Sequence, residues 1–275
     1  MIDLHTHTTA SDGRLAPLEL VTRAAGAGVT VISVTDHDTV AAAAAASAAC
    51  AAAGLEFVAG VEITASWQDT DVHILGYFID VQSPALQAFL TVQRQRRIER
   101  VREIAARLND LGMYLDPDAL VQEAVTDPSK SVGRPAVARA LATAGYVATP
   151  DLAFQKWLGR GKPAFVPRLA GPPEEIVAKI HDAGGLASLA HPGPLRHDDW
   201  IPGFVSAGLD AIEAYHSEHD AAASAHYIDL AKRFGVLISG GSDFHGDHMH
   251  GAAAPGAATL PRDAFDALRN RISHN

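Results

Sequence analysis

Residues 1–12 read MIDLHTHTTASD, and the fold turns on how they are read. Ile2, Leu4, Thr6 and Thr8 have the spacing of a short strand. Residues two apart in a strand share a face, so His5 and His7 project side by side as a candidate metal-ligand pair. An isolated His-x-His fits two hydrogen-bonded core histidines equally well. Four later segments break the tie, each closing an apolar run with His, Asp or Glu: VTDHD at 34–38, GVE at 60–62, LAHPG at 189–193 and GGSDFH at 240–245. Asp243 and His245, again two apart, repeat the spacing of the opening pair.

Outward from this stretch the chain alternates strand and helix. Pro17 and the stripe Leu18, Val21, Ala24, Ala25 predict a helix ending near Gly28. VTVISVT (29–35) reads as a strand, the alanine tract 40–53 as a helix stopped by Gly54, and LEFVAGVEI as a third strand ending near Glu62. Strands and helices in alternation with short connections predict a parallel sheet with crossover helices, whose chemistry collects at the carboxyl ends of the strands. DVHILGYFID (71–80) reads as a fourth strand with His73, Leu75 and Tyr77 on one face. From Pro84 to about 167 only helical patterns occur, near 84–111, 117–125, 134–144 and 150–158. The expected organisation is therefore a barrel of residues 1–82 and 168–275 carrying a helical insertion, residues 83–167. Within it the run QRQRRIERVREIAARL (93–108) reads as a solvated helix face of paired charges. The α/β rhythm resumes with a helix at PPEEIVAKIHDAG, a strand ending at His191, further elements through LDAIEAYH and VLISGGSDFH, and a closing helix at 262–272.

Composition narrows the function. With 275 residues and 48% hydrophobic content the chain can bury a large core, and its one cysteine, Cys50, rules out a disulfide framework or thiolate zinc site. A metal must be held by His and carboxylate. No apolar run approaches the roughly 20 residues that span a bilayer and no signal-peptide pattern precedes the first strand, so a cytoplasmic protein without membrane partners is expected. The formal charge of −10 argues against a stable nucleic-acid complex through a basic surface. It does not exclude an anionic substrate, because three divalent ions beside three carboxylates leave a local charge of about +3.

The polar residues at strand ends are His5, His7, Asp12, His37, Glu62, His73, His191, Asp243 and His245, a set able to hold two or three divalent ions. Clustered ions acidify water and clamp phosphoryl oxygens, so the implied reaction is phosphoester hydrolysis by a metal-activated hydroxide. Asp36 and Asp38 are expected to orient His37 and its loop. His181, His197, His226, His248, His250 and His274 are assigned to the surface.

The ordered set H-x-H, T-D-H-D, G-V-E, A-H-P-G and G-S-D-F-H resembles the polymerase and histidinol phosphatase (PHP) superfamily along the whole barrel part of the chain. The resemblance implies an α/β fold, a distorted seven-stranded (β/α) barrel with a trinuclear site. His5, His7, Glu62 and Asp243 would take one metal; Glu62, His73 and His191 a second; Asp12, His37 and His245 a third. Asp12 stands where some members have His, which favours manganese or iron, with zinc still possible. The helical insertion, V-G-R-P and G-K-P-A-F-V are similar to the branch that hydrolyses 3′,5′-nucleotide bisphosphates and short RNA ends. There Arg134 and Lys162 match residues that bind substrate phosphate. Ala136 departs from the His expected after Arg134-Pro135. His216 and His219 are candidates to contact phosphate or protonate the leaving oxygen beside Asp243. The resulting expectation is a phosphatase of small phosphorylated nucleotides, with histidinol-phosphate phosphatase as the alternative enzyme. A non-catalytic metal-binding module serving a polymerase is the alternative of another class.

Overall fold

The computed structural model describes residues 1–246 and 252–272, and the surface assignments of His248, His250 and His274 lie outside them. In chain order the elements are β1 (Ile2–Asp3), α1 (Pro17–Gly26), β2 (Val31–Val34), α2 (Ala43–Ala53), β3 (Glu56–Trp67), β4 (Thr70–Tyr77), α3 (Pro84–Asp110), α4 (Pro117–Thr126), α5 (Arg134–Thr143), and α6 (Pro150–Ala153), which runs into a π-turn, Phe154–Leu158. Then come α7 (Pro173–Asp182), β5 (Leu186–Leu189), α8 (Pro192–Leu195), a 3₁₀ turn (Asp198–Trp200), α9 (Ile201–Ser206), β6 (Ala211–Tyr215), α10 (Ala221–Phe234), β7 (Leu237–Gly240) and α11 (Arg262–Ile272).

The seven strands pair in sequence order in one sheet. Its ends close through Leu4 N–H on Gly240 O (3.1 Å), Asp243 N–H on His5 O (2.8 Å) and a parallel bridge between Thr6 and Phe244. The sheet is a nearly closed barrel, as expected. Gly241 permits the closure, since a Cβ there would lie 2.2 Å from the His5 amide nitrogen. Inside, Ile2, Leu4, Val31, Val58, Leu75, Tyr77 and Leu186 meet Phe265 and Leu268 of α11, which plugs the end opposite the site. His73, Leu75 and Tyr77 alternate along β4 with Leu75 and Tyr77 in this core, so His73 stands at the mouth.

Three strands differ from the sequence expectation: β1 is only Ile2–Asp3, with His5 and His7 on the stretch beyond it that the Thr6–Phe244 bridge holds, and β3 and β4 depart as well. β3 does not end near Glu62 but continues to Trp67 and pairs antiparallel with β4, from Gly60 opposite Tyr77 to Trp67 opposite Thr70. The turn is Gln68-Asp69, both with positive φ (48° and 59°), the two-residue geometry whose twist suits a hairpin. Its residues lack the Asn-Gly signature, so sequence gave no cue. β4 is also antiparallel to β5, so one strand of the barrel runs against both its neighbours. Glu62 and His73 consequently sit within strands, on the hairpin that rises past the mouth.

The segment after β4 is helical at the expected places. α3, α4 and α6 each begin with Pro at N1 behind Ser83, Asp116 or Thr149, whose side chain accepts a helix N–H. These helices share a core of their own around Ile104, Leu108, Val121, Val137, Leu141 and Leu158. They are tied to the barrel mouth by Ser131 N–H on Ala10 O (2.8 Å), Thr39 Oγ1–H on Ser129 O (2.8 Å) and Arg94 on Asp38 O (2.9 Å). Among the described residues no helix is long and apolar enough to cross a membrane.

Candidate metal centre

Glu62 is the hub of the mouth. Its Oε2 lies 3.3 Å from His5 Nε2, 3.1 Å from His7 Nε2 and 3.2 Å from His37 Nδ1, and its Oε1 lies 2.6 Å from His73 Nδ1 and 3.3 Å from His191 Nε2. Asp243 Oδ1 stands 3.2 Å from His5 Nε2 and 3.1 Å from His7 Nε2, and Asp12 Oδ1 3.3 Å from His245 Nε2. All nine residues expected as ligands converge. Tight groups form from His5, His7, Glu62 and Asp243, from His7, Asp12, His37 and His245, and from His37, Glu62 and His73. The grouping differs in detail from the sequence reading: His37 rather than His191 closes the group with Glu62 and His73.

These atoms fit divalent ions. His7 Nε2, Asp12 Oδ1, His37 Nδ1 and His73 Nδ1 are buried and make no hydrogen bond, a costly arrangement unless another partner is provided. Ligands in a shell of about 2.0–2.2 Å radius lie roughly 3 Å apart, the spacing found here. Burial alone would raise the carboxyls of Glu62 and Asp243, yet the surrounding imidazoles hold both well below their ordinary range, so the cluster presents anionic oxygen. Backbone strain marks the same place: Asp38, His191 and Asp243 have φ of 52°, 28° and 55°. Gly13 lets the loop after His7 fold back, because a Cβ would stand 2.5 Å from His7 O.

A second tier of residues, unrecognised in the sequence, orients the first. Glu213 of β6 is fully buried, accepts His5 Nδ1–H at 2.9 Å and takes His191 N–H at 2.7 Å. This leaves His5 Nε2 as the ligating nitrogen. The roles expected for Asp36 and Asp38 are corrected. Asp36 accepts Thr8 N–H (2.8 Å), Thr8 Oγ1–H (2.6 Å) and Ser11 Oγ–H (2.6 Å), pinning the loop after His7. Asp38 is fully buried and ion-paired with Arg97 and with Arg168 (2.5 Å); burial would raise its carboxyl, but the two guanidiniums lower it to about 2.

The arginine run of α3 is a solvated face only in part: Glu99, Arg102 and Glu103 are exposed, with Arg107 paired to Glu103 at 2.7 Å, but two arginines turn inward. Arg97 and Arg100 are buried and turn toward the mouth, Arg100 pairing with Asp71 at 2.9 Å. Arg134 pairs with the same Asp71 oxygen at 3.0 Å. A cavity of about 260 Å³ joins these groups to the cluster, lined by Arg97, Arg100, Arg134 and Arg168 together with His37, Glu62, His73, His191 and Asp243. The cue in the sequence was a stripe, Leu86, Leu90, Gln93, Arg97, Val101, Ile104, Leu108, whose polar members fall where apolar ones belong.

Three further candidates lie apart from this cavity. Lys162 is exposed and does not line it. His216 is buried, accepts Glu218 N–H on Nδ1 (3.1 Å) and directs Nε2 toward Asp243 Oδ2 at 3.5 Å. His219 donates Nδ1–H to Ala214 O and accepts Gly193 N–H on Nε2, both at 3.1 Å, so both ring nitrogens are committed to backbone. His181 and His226 are surface residues on Asp210 and Asp198, and His197 stacks on Trp200 at 3.8 Å.

A barrel whose mouth gathers six imidazoles and three carboxylates next to buried guanidiniums defines the class of metal-dependent phosphoesterases. Comparison with known proteins agrees: residues 3–130 match the PHP domain. The chain is 38% identical over 252 residues to the 5′-3′ exoribonuclease Rnm of Salmonella typhimurium, covering 88% of this chain and 84% of that one. It is 36% identical over 281 residues to the 3′,5′-nucleoside bisphosphate phosphatase of Chromobacterium violaceum, covering 98% and 97%. A Bifidobacterium adolescentis crystal structure described as a metal-dependent phosphoesterase superposes with a TM-score of 0.87 at 28% identity, over 98% of this chain and 95% of that one. The chain belongs to the PHP family of metal-dependent phosphoesterases.

Proposed function

We propose that this phosphoesterase removes the 3′-phosphate of 3′,5′-nucleotide bisphosphates and acts also on short RNA ends. The observation that carries the reading is the guanidinium group beside the cluster. Arg97, Arg100, Arg134 and Arg168 gather on one side of the cavity, where four guanidiniums share the two carboxylates Asp38 and Asp71, so that side carries more cations than anions next to the candidate metals. That charge suits a second phosphate on the substrate. The relatives named for bisphosphate and RNA substrates support the same class.

In this reading His5, His7, Glu62 and Asp243 would hold one ion, Glu62 and His73 a second with His191, whose Nε2 lies 3.3 Å from Glu62 Oε1, beside the neighbouring His37, and Asp12, His37 and His245 a third, with manganese or iron favoured by the oxygen donor Asp12. Bound there, divalent ions supply acidified water and Lewis-acid stabilisation of phosphoryl charge. Glu213 keeps the His5 ring in one tautomer and orientation. Arg134 and Arg168 bind the remote phosphate and so position the scissile one, converting binding energy into rate. His216, whose Nε2 carries the proton because Nδ1 accepts Glu218 N–H, faces Asp243 Oδ2 at 3.5 Å and acts by orienting that carboxylate. His219 acts by holding Gly193 and Ala214 in place, and Lys162 would reach the phosphate only from the rim.

Phosphate release from adenosine 3′,5′-bisphosphate, 3′-AMP and histidinol phosphate by manganese-loaded protein tests the reading. A charge-assisted contact to the remote phosphate is worth about tenfold or more in kcat/KM, so the bisphosphate should lead 3′-AMP by that factor. A preference for histidinol phosphate would overturn it.

A further inference from the structure

A second cavity, of about 590 Å³, opens on the other side of the loop after His7, between that loop and α4 and α5. It meets the first at Asp12, Val132 and Gly133, which line both. The cluster is thus open on two sides, and a mononucleotide needs only one of them. The chemistry of the second cavity is that of a polyanion with sugar and base. Arg14, Lys130 and Arg139 supply three cations against Glu123 and the ligand Asp12. Lys130 is braced on Thr9 O, and Ser131 is fixed by its N–H on Ala10 O while its buried Oγ makes no hydrogen bond. Ala119, Leu120, Ala124 and Ala136 leave an uncrowded apolar wall opposite.

We propose that this cleft holds the trailing strand of a 5′-phosphorylated oligonucleotide. The inference rests on the nucleotide reading above, with the first nucleotide and its 5′-phosphate in the guanidinium cavity. A nucleoside bisphosphate has nothing beyond its 3′-phosphate and leaves the cleft unused. In an oligonucleotide that phosphorus also bears the 5′-oxygen of the next residue, which must exit through the second opening. The oxygen of water bonds to phosphorus as the bond from phosphorus to the 3′-oxygen of the first nucleotide breaks. The 3′-oxygen takes a proton, a nucleoside 5′-monophosphate departs from the first cavity, and the shortened strand keeps the phosphorus as a new 5′-phosphate. That product is again a substrate, and its retention by Arg14, Lys130 and Arg139 returns it to the cluster.

The experiment compares adenosine 3′,5′-bisphosphate with 5′-phosphorylated triadenylate labelled at its 3′ end, in wild type and in Lys130→Ala, Arg139→Ala and Ala119→Trp, the last adding bulk on an exposed helix position facing the cleft. Each cation removed should lower kcat/KM for the oligonucleotide about tenfold, and Ala119→Trp should lower it as well, while the bisphosphate is turned over as in wild type. Fluorescence anisotropy of a labelled pentanucleotide in chelator reads binding without turnover. Each cation removed should weaken it and reduce the slope of log K against log salt by about 0.7. Equal losses on both substrates, unchanged oligonucleotide binding, or no oligonucleotide binding by wild type overturns the cleft. If the variants discriminate on oligonucleotide while the bisphosphate is not hydrolysed by wild type, the cleft stands and the small-substrate reading falls.

Discussion

Glu62 and Asp38 show how single residues carry this site. Both oxygens of Glu62 face imidazole nitrogens of more than one candidate metal group. Glu62→Gln keeps the shape and removes the charge, so metal content after dialysis, measured by elemental analysis, should fall by more than one ion per chain; full retention would show that Glu62 bridges nothing. Asp38 balances two buried guanidiniums. Removing one partner of a buried ion pair costs about 3–5 kcal/mol, because the charge left behind cannot be hydrated. Asp38→Ala should therefore lower the unfolding free energy by that amount in denaturant titration, and a loss under about 1 kcal/mol would mean that water reaches Arg97 and Arg168. The nine cluster residues were legible in sequence because His, Asp and Glu closing apolar runs are rare without a ligand. Glu213, Arg97 and Arg168 were not, since a lone Glu in a strand and an arginine in a charged helix have common surface explanations.

At the scale of elements, boundaries set by local chemistry came out close to expectation. Proline at N1 behind an accepting cap places α3, α4 and α6 with little help from the rest of the molecule. The β3–β4 hairpin did not, because its turn uses Gln68 and Asp69 in a conformation that only the pairing of the flanking strands enforces. The bottom of the barrel offers a pH test away from the cluster. His181 at the end of α7 bonds Asp210 Oδ2 at 2.7 Å, and the same oxygen accepts Ala187 N–H at 2.9 Å, joining helix to sheet. That hydrogen bond raises His181 above its ordinary 6.5, and the charge of Asp210 adds to it. A raised folded value means the contribution is fully present below 6.5 and is lost as pH rises through the folded pKa. The stability gap between wild type and His181→Gln should accordingly shrink over that interval; a gap that is constant with pH would show that His181 does not titrate on folding.

For the whole molecule, the barrel and the helices after β4 meet over a cluster in which His7 Nε2, Asp12 Oδ1, His37 Nδ1 and His73 Nδ1 make no hydrogen bond, so ions that bind the folded chain also stabilise it. At a free concentration 100 times the dissociation constant, one ion adds about 2.7 kcal/mol. For a chain of this size each kcal/mol moves the unfolding temperature by roughly 2–4 °C. Adding manganese to chelator-treated protein should thus raise Tm by about 5 °C or more, read by calorimetry, and the same treatment should remove and restore phosphoesterase activity together. Tm independent of manganese would contradict the assignment of these atoms as ligands.

The sequence by itself determined the α/β alternation, the helical segment after β4 and the nine residues of the cluster, because periodicity, caps and strand-end polar residues are local signals. The tertiary structure decided the rest. Whether an arginine on α3 faces water or the cluster depends on which side of the helix the barrel covers. Pairing partners set β4 antiparallel, and a second opening beside Asp12 exists only where the loop after His7 and the helices α4 and α5 come together. These are contacts between residues far apart in the chain, and no window of sequence contains both sides of them.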